Sequence, residues 1–62
     1  MQISVKTTEF KKHTRWEIKN QDEKTLISSG SAKTYDDAIQ DINEVLERYG
    51  LSSYSWEDSF VD

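Results

Sequence analysis

Apolar and polar residues alternate along the start of the chain, and then the period changes. In the opening segment Ile3, Val5 and Thr7 fall in one phase, and Ser4 and Lys6 in the other. The pattern returns with Thr14, Trp16 and Ile18 against Arg15, Glu17 and Lys19. A period of two sends successive side chains to opposite faces of a strand, so both segments are predicted strands with one buried face. The stretch between them is polar apart from Phe10 and holds no Gly. It therefore predicts a hairpin closed by a longer loop, not by a tight primed turn. Asn20–Lys24 reads as a second turn, in which Asn20 and Asp22 can bond nearby backbone. Thr25–Ser29 is a third predicted strand. Its neighbours Leu26 and Ile27 cannot both point inward, so one faces away from the core or a bulge falls here. The following residues read as a loop, with Gly30 supplying backbone freedom.

From Tyr35 the period is helical. At about 100° per residue, Tyr35, Ala38, Ile39, Ile42, Val45, Leu46 and Tyr49 fall within an arc of about 120°, and the remaining positions are polar. Thr34 is a natural N-cap, Asp37 stands where a capping-box acid would, and Asp36 and Asp37 complement the positive end of the helix dipole. Arg48 suits the last turn and Gly50 the residue after the cap. The elements predict an α+β fold: a three-stranded antiparallel meander followed by one amphipathic helix packed on one sheet face (βββα), a single domain over residues 1–52.

Residues 53–62 form an acidic and aromatic tail. Read at period two, Tyr54, Trp56 and Phe60 share a face that Asp58 interrupts. Read as helix, Ser55 and Asp58 match a capping box and Trp56 meets Phe60 one turn on. A small core would use at least one of these aromatics. The tail is expected to be partly docked through Leu51 and Tyr54 or Trp56, with Glu57–Asp62 loose.

The chain has 62 residues and neither Cys nor Pro. A domain of this size buries only about 60% of its unfolded surface and is marginal alone, which favours a protein partner or self-association. The lack of Cys excludes a disulfide or a thiolate metal site. No apolar run approaches the roughly 18 residues of a membrane span, and no secretory signal pattern opens the chain, so a cytoplasmic protein is expected. Charge divides the chain. Residues 1–33 hold seven Lys/Arg and four Asp/Glu (+3), residues 34–62 one Arg and eight Asp/Glu (−7), giving the net −4. A basic sheet and an acidic helix are the ordinary consequence; a basic partner for the acidic half is the sharper one.

Candidate chemistry is sparse. His13 lies among Lys11, Lys12 and Arg15 and reads as a surface residue. Asp37, Asp41 and Glu44 recur at helical spacing opposite the apolar arc, with Glu47 beside them. A convex helix face does not converge oxygens on a cation, so a docking surface for a basic protein is a better use of these acids than a metal site. Nucleic-acid sheets display aromatics on the open face, whereas Trp16 takes the inward phase here. No catalytic, metal or cofactor motif is present, so an enzyme is not expected.

The segments Arg15–Gly30 and Ser31–Leu46 resemble the YegP-like family of small bacterial domains. The matching positions are Trp16, Ile18, the turn Asn20–Lys24, Leu26, Ile27, Ser29, Ala38 and Ile42. The family's Gly-rich turn is missing and the long tail is additional. The resemblance implies a small, often paired sheet-and-helix unit without an established activity. Thr34–Gly50 is also similar to the helix of HicB-type antitoxins, which implies neutralisation of a toxin, and small phage proteins share the general plan.

The expected function is thus a non-catalytic protein-interaction module, self-associating or binding another protein, with Asp37, Asp41, Glu44, Glu47, Trp56 and Phe60 as candidate contact residues. The alternative is an acidic inhibitor or antitoxin-like protein that blocks a basic nucleic-acid-handling protein. A third reading is weak nucleic-acid binding through the basic sheet. No cofactor, small molecule or membrane is expected as a partner.

Overall fold

A computed structural model describes residues 2–51 and 53–61. It contains β1 (Ile3–Glu9), β2 (Thr14–Asn20), β3 (Thr25–Ala32), α1 (Tyr35–Arg48) and β4 (Tyr54–Phe60). The strands form one mixed sheet in the order β3-β2-β1-β4, so the architecture is α+β. β1–β2 and β2–β3 are antiparallel, as the alternation predicts, whereas β4 runs parallel to β1. β3 and β4 therefore point the same way from opposite edges. Their connection must cross the sheet, and α1 makes that crossing.

β4 corrects the expected three-stranded layout and the loose tail. Glu57–Phe60 are paired along β1 as Lys6↔Glu57, Thr7↔Asp58, Thr8↔Ser59 and Glu9↔Phe60. The segment from Tyr54 onwards shares a sheet with the residues before it; residue 52, where the expected boundary falls, and Asp62 lie outside the described residues. The physical reason is β1 itself. Its inward residues Ile3, Val5 and Thr7 are buried, and without a fourth strand they would lie at an open edge.

Hairpin loops are built from local hydrogen bonds. Phe10 N–H donates to the His13 carbonyl at 2.8 Å, and the two rings stack at 4.7 Å. In the second loop the Asn20 side-chain oxygen accepts from Asp22 and Glu23 N–H at 3.0 and 3.3 Å. Lys24 takes a φ of 55° to return the chain. The register between β2 and β3 slips after Ile18↔Ser28 to Lys19↔Leu26, which leaves Ile27 as the extra residue. The bulge resolves the adjacent apolar pair: Ile27 packs on the core and Leu26 is exposed.

Gly30 lies within β3, opposite Trp16, and not in a loop. Freedom of φ is not its role. A Cβ there would lie 2.7 Å from Trp16 Cζ2, so the indole occupies the space a side chain would need.

The core consists of Ile3, Val5, Trp16, Ile18, Ala38, Ile42 and Leu46, with Ile27, Ala32, Val45, Leu51 and Trp56 packed around it. α1 packs over β2 and β3. Thr34 accepts from Asp37 N–H at 3.2 Å. At the other end Gly50 N–H donates to the Glu47 carbonyl and Leu51 N–H to the Leu46 carbonyl, with Gly50 at a φ of 66°. This double closure satisfies carbonyls that the helix end would otherwise leave open, and it carries Leu51 back towards the core. Tyr49, the last residue of the predicted arc, caps the helix and is exposed. Thr34→Ala removes the N-cap acceptor. It should cost about 1 kcal/mol, read as a lower thermal midpoint with the fold retained.

The basic and acidic groups do not meet across the core. Lys6, Arg15 and Lys19 leave the sheet on the face away from α1, while Asp36, Asp37, Glu44 and Glu47 lie on the exposed surface of α1. On the open sheet face Lys6 has Glu17 and Glu57 as register neighbours, and Lys19 pairs with Glu17 at 3.4 Å.

Candidate functional site at the β4 edge

Alternate residues of a strand direct both backbone groups to one neighbour, and three bonds settle the phase here. Gln21 N–H donates to the Gln2 carbonyl and Phe10 N–H to the His13 carbonyl, so the even residues of β1 serve β2. Val61 N–H donates to the Glu9 carbonyl at 2.9 Å, so the odd residues of β1 and of the C-terminal segment serve each other. Tyr54, Trp56, Asp58 and Phe60 therefore turn their N–H and C=O groups to the outer edge of the sheet. An edge of this kind is a template for another strand.

The same four side chains lie on the α1 side, because their β1 register partners Ile3, Val5, Thr7 and Glu9 begin with three inward residues. With α1 over β2 and β3, this side of β4 is only partly covered. Trp56 is half-buried against the core. Tyr54, tilted against the Trp56 ring at 6.1 Å, is 43% exposed, and Phe60 is 80% exposed. Exposed aromatic side chains along an open edge mark an interaction surface.

Asp58 holds this shoulder in place. Its Oδ1 accepts from Thr7 Oγ1, from Trp56 Nε1 at 3.0 Å and from Tyr35 Oη at 3.1 Å. Donors from β1, β4 and the first turn of α1 thus converge on one carboxylate oxygen. The Thr7 hydroxyl first, then the Trp56 and Tyr35 donors, hold the Asp58 carboxyl below its ordinary range against the opposing effect of burial. Burial, followed by the hydrogen bond and negative charge of Asp58 and the charge of Glu9, pushes the Tyr35 phenol up.

The sign of the pH effect follows. Asp58 binds its proton less tightly folded than unfolded, so its contribution to stability is present above the unfolded value of about 4 and is lost as pH falls through the folded value. Tyr35 acts oppositely: its contribution is present below about pH 10 and lost as pH rises through its raised value. Thermal midpoints measured down the acid limb should fall less steeply for Asp58→Asn than for the natural chain. Parallel curves would show that Asp58 does not couple folding to protons.

The residues singled out by sequence divide into two places. Asp37, Glu44 and Glu47 are exposed on α1, and Asp41 is half-buried there. Trp56 and Phe60 lie on β4. Sequence reasoning treated Asp58 as an interruption and did not connect it with Thr7 and Tyr35. The period-two reading held the clue, since Asp58 and Thr7 both take inward phases. Among the described residues no cluster of three His, Asp or Glu could hold a metal ion, and no helix is long and apolar enough to cross a membrane. Compared with protein-family models, curated proteins and solved structures, the chain matches none.

Proposed function

We propose that the protein is a non-catalytic binding module that docks another polypeptide along the outer edge of β4. The observation that carries this reading is the coincidence of the unpaired backbone edge with exposed Tyr54 and Phe60. Strand addition draws affinity from main-chain hydrogen bonds and specificity from alternate side chains. Docking at this edge depends on the pairing of residues 54–60 with β1, since a loose tail would present no edge.

Proline separates the two sides of the strand. Phe60→Pro removes an N–H that faces outward and should keep the fold while abolishing binding of peptides selected on the natural chain from a random linear library. Ser59→Pro removes an N–H that faces β1 and should lower the thermal midpoint instead. Equal losses of stability from both would overturn the edge assignment, and peptide binding unaffected by Phe60→Pro would overturn the docking site.

A second copy of the chain is a poor occupant. In an antiparallel β4–β4 pair centred on the strand, Glu57 faces itself across the two-fold axis, and like charges directly opposite are destabilising. Sedimentation at rising concentration should therefore show a monomer. The acidic inhibitor or antitoxin-like alternative rests instead on the acids of α1 and the C-terminal segment, with a basic nucleic-acid-handling protein as partner. Nucleic-acid binding has one observation in its favour: Phe10, stacked on His13, lines a shallow depression on the open sheet face with Lys6 and Arg15. Glu17 lines it too and opposes phosphate. A gel shift at low salt would support that reading, and no shift would end it.

A further inference from the structure

We infer that the segment taken up by β4 is an extended strand with basic residues alternating with apolar ones. This rests on the docking reading above and specifies the chemistry of the occupant.

A fifth strand beside β4 would meet two different rows of side chains. On the open sheet face the row is Ser55, Glu57 and Ser59, polar throughout with a carboxylate at its centre. On the α1 side it is Tyr54, Trp56, Asp58 and Phe60, where Asp58 already accepts three hydrogen bonds from within the chain. The second row thus offers a newcomer three aromatic rings, and the carboxylate among them is already engaged through Oδ1. Cross-strand neighbours lie about 4.5–5.5 Å apart, so the occupant's side chains read these rows directly. Lys or Arg in one phase answers Glu57, and apolar residues in the other cover Trp56 and Phe60. Lys6 is the β1 register neighbour of Glu57, yet among the described residues Glu57 makes no ion pair. The net charge of −4 favours the same sign of partner at long range.

β3 offers the other edge, but its residues from Thr25 to Ala32 carry no charge and its ladder is broken at Ile27. Bulges twist an edge away from further pairing. The two edges are therefore not equivalent.

The test selects random linear peptides on the intact chain and reads their sequences. Enrichment of Lys or Arg at alternate positions, with apolar residues between, is the expected result. Binding of such peptides should weaken roughly three- to tenfold with Glu57→Lys, less with Glu57→Gln, and fade as salt rises to about 0.5 M. Glu23→Lys, an equal change of charge in the β2–β3 loop, should leave it unaltered. Neutral or acidic peptides, or equal binding by the Glu57→Lys and Glu23→Lys variants, would overturn the basic-strand inference while β4 remained the docking edge. Selected peptides indifferent to Phe60→Pro would overturn the docking reading itself.

Discussion

Gly30→Val is expected to leave the chain largely unfolded, and Gly30→Ala to destabilise it by about 1–3 kcal/mol. A Cβ at position 30 would lie 2.7 Å from Cζ2 and 2.9 Å from Cε2 of Trp16. Neither partner can yield easily. Gly30 is held in the β2–β3 ladder, and Trp16 is a buried member of the core. A domain of this length has a stability of roughly 3–9 kcal/mol, so a β-branched side chain at this contact removes much of it. Trp16→Phe should rescue Gly30→Ala in part, because the smaller ring clears the added methyl. It also deletes the Trp16 indole N–H, which is buried without an acceptor among the described residues. Urea denaturation of both single variants and the double variant measures the coupling. Additive losses would show that the indole does not occupy the Gly30 space.

Removing residues 53–62 should be as damaging. β4 supplies the parallel ladder to β1 and covers one flank of Ile3 and Val5, which are 1% and 0% exposed. Uncovering two aliphatic side chains by half costs about 2 kcal/mol, and each ladder bond contributes about 1 kcal/mol more. Thr7 would in addition lose the acceptor for its buried hydroxyl. The truncated chain is expected to show no cooperative thermal transition near that of the intact chain. An unchanged melting temperature would mean that the segment is not part of the fold.

How far these features were legible in the sequence depends on the range of the interactions behind them. The helix is written locally: the apolar arc, Thr34, Arg48 and Gly50 each act within a turn of their position, and the observed caps use the expected residues. The bulge was half legible, because Leu26 and Ile27 break a period of two wherever the strand pairs. Gly30 was misread because its meaning lies in Trp16, fourteen residues earlier and visible only once the register of β2 and β3 is known. β4 stayed ambiguous for a related reason. Asp58 interrupts an apolar face, and its three donors come from Thr7, Tyr35 and Trp56, two of them distant in sequence. A carboxylate on an inward phase reads as a flaw until the donors that satisfy it are in place. The helix acids carry no such signal, since exposed carboxylates on a helix look the same with or without a partner.

Amide hydrogen exchange resolved by residue tests the central claim most directly, which is that residues 54–60 form a strand paired on one side and open on the other. Ser55, Glu57, Ser59 and Val61 should be protected by β1, while Tyr54, Trp56, Asp58 and Phe60 exchange quickly and become protected only when a selected peptide is bound. Uniformly fast exchange through this segment, or no new protection at the even positions in the complex, would contradict the account.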